Sequence, residues 1–418
     1  MVAESLIVPT LDTIGEFGGK RVLVRVDFNS PVEPKSGKIM DTTRIKSHIP
    51  TIKELIDKGS AVVIISHQGR PGMEDFTTLE EHCRLLSELA GIDVRFVDDV
   101  IGPEARRVIS NLGEGEVVML DNIRLLSEEM MEAPPEAHAS TILVRKLSPL
   151  FDIYVNDAFA TAHRSHASIV GFPILLPSAA GRVMEREVIA LAKIRDPSLS
   201  PKVYVLGGGK VRDTLRAVEH ILSKDSNSMV LATGLLAILF LAVGGIISRE
   251  NYRVLERKGL LALLPRAEAI LRLYRGRIRL PIDFIIEKEG KAITVELDDI
   301  DGPIKDVGPK TIDMYGDIMR DAKVIVFKGP AGVIEDPRFR EGTRGLIRKA
   351  AETGSIVILG GGHLNAVAEE LKVKEKSNVH ISTGGGALIT FLSGEKLPAI
   401  EALGISAKKF NIKGVEIS

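Results

Sequence analysis

RVLVRVDFNSPV, residues 21–32, opens on a run of β-branched and apolar residues that stops abruptly at Asp27, Asn29 and Pro31. A strand apolar on both faces suits the middle of a parallel sheet covered by helices on either side. Working outward, the same pattern recurs at AVVIISH (61–67), VRFVDD (94–99), EVVMLDN (116–122) and DIYVNDAF (152–159). It returns at KVYVLGG (202–208), MVLATG (229–234), IRLPIDFII (278–286), KVIVFKG (323–329), SIVILGGG (355–362) and NVHISTGGG (378–386). Between these runs lie amphipathic stretches such as TRIKSHIPTIKELIDKG and DTLRAVEHILSK, apolar at three and four spacing. The alternation predicts an α/β fold of doubly wound, Rossmann-like parallel sheets. At 418 residues the chain exceeds what one core usually serves, so two lobes are expected. The segment PSAAGRVMEREVIALAKIRDPSLSP reads as a helix between Pro177 and a Pro/Ser-rich exit, a hinge joining a lobe of residues 1–182 to one of 183–404.

Charge excludes some partners. Lysine plus arginine number 55 and aspartate plus glutamate 56, a net charge of -1, so no bulk field draws the chain to nucleic acid or to a membrane surface. Any anionic ligand must be held by local clusters. The single cysteine, Cys83, rules out an intrachain disulfide framework, fits a reducing compartment and reads as a small buried hydrophobe. The N-terminus, MVAESLIVPTLD, lacks the basic head and apolar stretch of a signal peptide. Residues 229–247 carry no charge and are long enough to span a bilayer, but the Thr233-Gly234 turn splits them into a short strand and an apolar helix of the kind buried in α/β cores. The expectation is a cytoplasmic protein, with monomer and homodimer both open.

Ligands of doubly wound sheets bind beyond the carboxyl ends of the strands, so the residues following each strand are the informative ones. In the first half they are side chains: Asp27 and Asn29, His67 and Arg70, Arg124, then His163, Arg164 and His166, with Arg44 opening the first helix. Arginines and imidazoles at one edge, beside an aspartate and an asparagine, suit a small polyanionic hydroxy acid such as a phosphorylated carboxylate. His163 and His166 have no third ligand at metal spacing, and metal binding is not expected of them. In the second half the strand ends carry glycine: GGGKVRD (207–213), TGL (233–235), KGPAGV (328–333), GGGH (360–363) and STGGGA (382–387). Bare backbone at helix N-termini suits a polyphosphate. Neither G-x-G-x-x-G nor G-x-x-x-x-G-K-[ST] appears at these loops. Asp283 in LPIDF reads as an ordinary Asx-turn residue.

Ten ordered blocks, RVLVRVDFNSPV, SHQGRP, LDNIRLLSEE, YVNDAFATAHRSHAS, LGGGKVRD, LPIDF, DVGPKT, GPAGVIE, GGGH and STGGGALITFLSGEKLP, resemble the phosphoglycerate kinase family along nearly the whole chain, and its archaeal branch in particular. The resemblance implies transfer of a phosphoryl group between 1,3-bisphosphoglycerate and ADP, giving 3-phosphoglycerate and ATP, with Mg²⁺ carried mainly on the nucleotide phosphates. By it, Asp27, Asn29, Arg44, His67, Arg70, Arg124, His163 and Arg164 match phosphoglycerate-binding positions. Lys210 matches a lysine beside the transferring group, and Arg44, Lys210, Gly362 and Gly385 would form the catalytic set. Gly207, Gly208, Gly234, Pro330, Glu335, Gly360, Gly361, Gly362 and His363 match nucleotide positions, Glu335 at the ribose, and the tail 405–418 is expected to pack back on the first lobe. Three positions depart from the common pattern: His363 stands for an aspartate of the magnesium site, Thr214 for a second lysine, and Lys328 for an asparagine. The metal ligands are therefore left open. A two-lobed anion-binding protein without catalysis is the competing reading.

Overall fold

A computed structural model of the chain describes residues 5–34 and 36–417. The chain divides into two compact units, one running to Arg195 and resuming at Lys396, the other Asp196–Glu395. The helix Arg182–Arg195 therefore groups with the first unit, and so does the helix Pro398–Phe410, whose Ala399 amide donates to the Ala162 carbonyl at 3.1 Å.

The first unit is built on a six-stranded sheet in the order Arg95–Val97, Val117–Leu120, Ala61–Ile65, Arg21–Arg25, Ile153–Asn156, Ser178–Ala180, with every neighbouring pair parallel. From Arg21–Arg25 the chain works outward on one side through Ala61–Ile65 and later returns on the other through Ile153–Asn156. That reversal opens a crevice at the carboxyl edge, where such sheets take ligands. Alternate residues feed opposite faces: Val22 and Val24 pack with Ile45, Ile52 and Leu55, while Leu23, Val63 and Ile65 pack with Ile109, Val144 and Leu147. Each such side chain contributes about 1.5–3 kcal/mol by leaving water.

The second unit repeats the plan with the order Ile278–Arg279, Met229–Ala232, Lys202–Leu206, Val324–Lys328, Ile356–Gly360, Val379–Ser382, again all parallel. Its reversal lies between Lys202–Leu206 and Val324–Lys328. Residues 229–247 begin as a central strand and continue as the buried ten-residue helix Gly234–Val243. Among the described residues no helix is long and apolar enough to cross a membrane. Cys83 is buried, its thiol donates to the Val94 carbonyl, and burial pushes its pKa up to about 12.

Two sequence expectations need correction. IRLPIDFII is not one strand: Ile278–Arg279 edges the parallel sheet, whereas Asp283–Lys288 is the middle strand of an antiparallel sheet with Lys291–Glu296 and Ile304–Val307. Pro281, unable to donate to a ladder, stands between them. Asp283 is not a simple turn residue either. Its buried carboxylate accepts from the amides of Lys310 (2.9 Å) and Thr311 (2.7 Å) and so caps the helix Pro309–Arg320.

Candidate active site

The side chains expected at the first carboxyl edge come together there. Asp27 and Asn29 follow Arg21–Arg25; His67 and Arg70 follow Ala61–Ile65; Arg124 sits in the short turn Ile123–Leu125; His163 and Arg164 follow Ile153–Asn156. Arg44 lies in the first turn of the helix Thr43–Asp57, whose start is fixed by Asp41 accepting from the Thr43 amide at 2.8 Å. The half-exposed guanidinium of Arg44 donates to the buried carboxylate of Asp27. The Asn29 side-chain oxygen accepts from the Gly69 amide at 2.8 Å, and Arg124 donates to the Gly69 carbonyl, so the Gly69 turn after Ala61–Ile65 ties the ends of Arg21–Arg25 and Val117–Leu120 to its own. Gly69 has φ +63°, and a Cβ there would lie 2.4 Å from the Asp75 carbonyl oxygen. Only glycine fits that turn.

Positive charge is concentrated here, with Asp27 and Glu129 offsetting it only in part. Burial, then Arg164 and Arg25, bring the Arg124 pKa down to about 10, which still leaves the group charged at neutral pH. Burial, then Arg70, lowers Arg164 as well. The Arg124 Nε is buried without a hydrogen-bond partner. A buried guanidinium with one N–H left unpaired, among other cations, is a place where an anion binds favourably.

In the second unit the strand ends approach one another by backbone alone. The Gly207 amide donates to the Lys328 carbonyl at 2.8 Å and the Gly208 amide to the Pro330 carbonyl at 3.0 Å. Gly208 (φ +77°) and Gly329 (φ +78°) face each other, and a Cβ on Gly329 would fall 2.4 Å from the Gly207 oxygen. Lys210 caps the helix Val211–Lys224; Gly234 starts Gly234–Val243; Gly360 ends its strand and Gly361 precedes the helix Gly362–Glu370; Gly384 precedes Gly385–Leu392. Gly362 is exposed, and a Cβ there would meet nothing within 4 Å. His363 and Glu335 are 61% and 65% exposed, with Nε2 and Oε1 3.5 Å apart.

The sequence profile of the phosphoglycerate kinase family matches residues 11–395. The chain belongs to the phosphoglycerate kinase family. It is similar to the phosphoglycerate kinase of Saccharolobus solfataricus, 53% identical over 403 residues that cover 96% of this chain and 98% of that one. A second relative, from Sulfurisphaera tokodaii, is 51% identical over 403 residues, 96% of this chain and 97% of that one. Among solved structures, the phosphoglycerate kinase of Pyrococcus horikoshii OT3 superposes with TM-score 0.87 at 41% identity, covering 96% of this chain and 100% of the other. That of Coxiella burnetii gives 0.79 at 30% identity, covering 95% and 98%.

In this phosphoglycerate kinase family member, a buried layer that the sequence reading missed supports the first edge. Arg25 is fully buried; its Nε donates to Ser168 Oγ at 2.9 Å and its Nη2 lies 3.0 Å from His67 Nδ1. A guanidinium only donates, so Nδ1 accepts and the His67 proton sits on Nε2. Burial first, then Arg25, holds His67 well below its ordinary pKa, and it is neutral at pH 7. Buried Glu129 completes the group by accepting from the Ser168 amide (2.8 Å) and hydroxyl (2.6 Å). His166, expected to bind no metal, lies 3.1 Å from Glu132, with burial taking it down to about 3. Among the described residues no cluster of three His, Cys, Asp or Glu could hold a metal ion.

A second buried link runs through His48. The Asp27 amide donates to His48 Nε2 at 3.2 Å, so Nδ1 carries the proton and donates to Asp157 at 2.7 Å. Asp157 in turn accepts from the Val183 amide at 2.8 Å and anchors the helix Arg182–Arg195. His48→Ala would leave a buried donor and a buried carboxylate short of partners, an expected loss of about 2–4 kcal/mol. A denaturation midpoint equal to that of the wild type would show that water replaces the ring at no cost.

Proposed function

We propose that the chain catalyses reversible phosphoryl transfer from 1,3-bisphosphoglycerate to ADP, giving 3-phosphoglycerate and ATP, with the first unit holding the phosphoglycerate and the second the nucleotide. The observation that carries this division is the contrast between the two sheet reversals. One presents cationic side chains with unspent charge, the other bare backbone amides at helix starts. A phosphorylated carboxylate needs the first and a polyphosphate the second. Arg70, Arg124, His163 and Arg164 bind the phosphate of the phosphoglycerate, Asp27 and Asn29 its hydroxyl, and His67 donates from Nε2. Arg44 neutralises the reacting acyl phosphate. Lys210 with the amides of Gly362 and Gly385 neutralises the transferring group; Gly207, Gly208, Gly234, Pro330, Gly360 and Gly361 line the nucleotide, and Glu335 takes the ribose.

Phosphoryl transfer of this kind needs positioning and charge neutralisation, and no covalent enzyme intermediate. Whole-length membership of an enzyme family decides against an anion-binding protein without catalysis. Mg²⁺ supplies further charge neutralisation when bound. Among the described residues no His, Cys, Asp or Glu cluster forms a cage for it, and an exposed imidazole at position 363 is a poor ligand for a hard cation, so nucleotide phosphates and water would supply most of its ligands. His363→Asn is accordingly expected to change nucleotide affinity modestly and to leave the magnesium requirement in place, measured as turnover against magnesium concentration. Loss of that requirement would make His363 a ligand. The reading as a whole is tested by coupled assay of 3-phosphoglycerate phosphorylation with MgATP, where absence of turnover overturns it.

A further inference from the structure

We propose that Lys328 is a second catalytic cation of the phosphoryl-transfer site, a role that rests on the reading above of a nucleotide bound on the second unit. Lys328 is the last residue of Val324–Lys328, the strand bordering the reversal of that sheet. Its Nζ lies 3.5 Å from the point where a Cβ would stand on Gly361 and 3.5 Å from the corresponding point on Gly385. Those two glycines themselves abut, since a Cβ on Gly385 would be 3.0 Å from the Gly361 Cα. The ammonium group therefore lies against both glycine triplets, at contact distance from each.

The electrostatics of that position are unfavourable without an anion. Gly362–Glu370 and Gly385–Leu392 both begin there, and helix N-termini carry partial positive charge. Lys210 adds a full charge nearby, and the carboxylate that acts on Lys328, Asp213, counts for less than Lys210 does. Burial first, then Lys210, pulls the Lys328 pKa down to about 8, with Asp213 opposing weakly, so the side chain stays mostly protonated at neutral pH. A triphosphate terminus relieves all of these repulsions at once. Thr214, whose hydroxyl donates to the Lys210 carbonyl at 2.9 Å, offers no cation on the adjoining helix; Lys328 supplies it from the strand end.

In the transfer from ATP, the bond between the γ-phosphorus and the bridging oxygen breaks and its electron pair stays on ADP. The phosphorus bonds to a carboxylate oxygen of 3-phosphoglycerate. No proton moves to or from Lys328. Its N–H groups neutralise oxygens whose charge shifts during that exchange, which is where a preorganised donor lowers the barrier.

The test uses the full-length protein with Lys328→Met, which keeps the stem and removes the charge, and Lys328→Arg, which keeps the charge. Turnover with MgATP and 3-phosphoglycerate, its pH profile, and MgADP affinity by calorimetry are measured for each. Lys328→Met is expected to lower turnover about 10- to 100-fold, the range of one charge-assisted hydrogen bond, with a much smaller change in MgADP affinity. Lys328→Arg is expected to recover most of the loss and to abolish the fall in kcat/KM expected of the wild type above about pH 8. Lys328→Met within about threefold of wild type, or equal losses in Met and Arg variants, would overturn the proposal while leaving the kinase reading intact. A wild-type protein without turnover would instead overturn that reading, and this proposal with it.

Discussion

Arg44→Ala is expected to lower turnover on the order of 100- to 1000-fold, as for other preorganised donors aimed at developing charge, while leaving MgADP affinity nearly unchanged. Arg44 is held rather than merely present. Its guanidinium donates to Asp27, and Asp27 is fixed by its own amide on His48 and by accepting from the Asn29 amide at 3.2 Å. The side chain stays 41% exposed, so a substrate can reach it. Nucleotide affinity should not move, because the glycine loops proposed to bind it belong to the other unit. Arg44→Lys keeps the charge but loses the planar fork that would span Asp27 and a substrate oxygen, so it should fall between the two. Steady-state kinetics against both substrates, with calorimetry for MgADP, separate the effects. Turnover of Arg44→Ala within about threefold of wild type would remove Arg44 from the site.

The strands that carry the site were legible because they are apolar on both faces. Strands such as AVVIISH and KVIVFKG could be read as central, and each is followed by residues proposed to meet a ligand. What was not legible lacked that signature. Leu6–Val8 pairs antiparallel with Val415–Ile417, a contact between opposite ends of the chain that no local pattern encodes. Ser178–Ala180 is three small residues whose strand conformation comes from Ile153–Asn156 beside it. IRLPIDFII looked continuous because its apolar content does not reveal that one part faces a parallel sheet and the next an antiparallel one; Pro281 was the available signal.

The site divides in the same way. Residues that would touch a ligand stand at strand ends and could be located from sequence. Those that orient them are defined only by tertiary contact. Arg25 reads as one charged residue in a strand, and only the fold brings it to His67 and Ser168. A charge at an otherwise fully buried strand position was a usable clue, since burying an unpaired guanidinium is too costly to be incidental. Asp157 and His48 carried no such clue. Lys328 did: a lysine closing a central apolar strand, beside glycines, has no structural need for its charge.

Lys210→Ala is the contrasting large effect, an expected loss of turnover on the order of 100- to 1000-fold, by removing a positive charge where the transferring group must be neutralised. Lys210 caps the helix Val211–Lys224, and its carbonyl accepts from the Thr214 amide at 3.0 Å, so the backbone there is fixed whichever side chain stands at 210. The helix should survive the substitution, and the loss should appear in kcat. A second consequence follows from its neighbour. Lys328 is brought down to about 8 first by burial and second by the charge of Lys210. With Lys210 neutral the second cause disappears, the Lys328 pKa rises toward its ordinary value, and the alkaline fall of the residual activity should move to higher pH. Burial remains, so the shift should be partial. The measurement is kcat/KM against pH for the wild type and for Lys210→Ala. A large loss of turnover with an unmoved alkaline limb would separate the two lysines electrostatically, and turnover near wild type would show that Lys210 does not act on the transferring group.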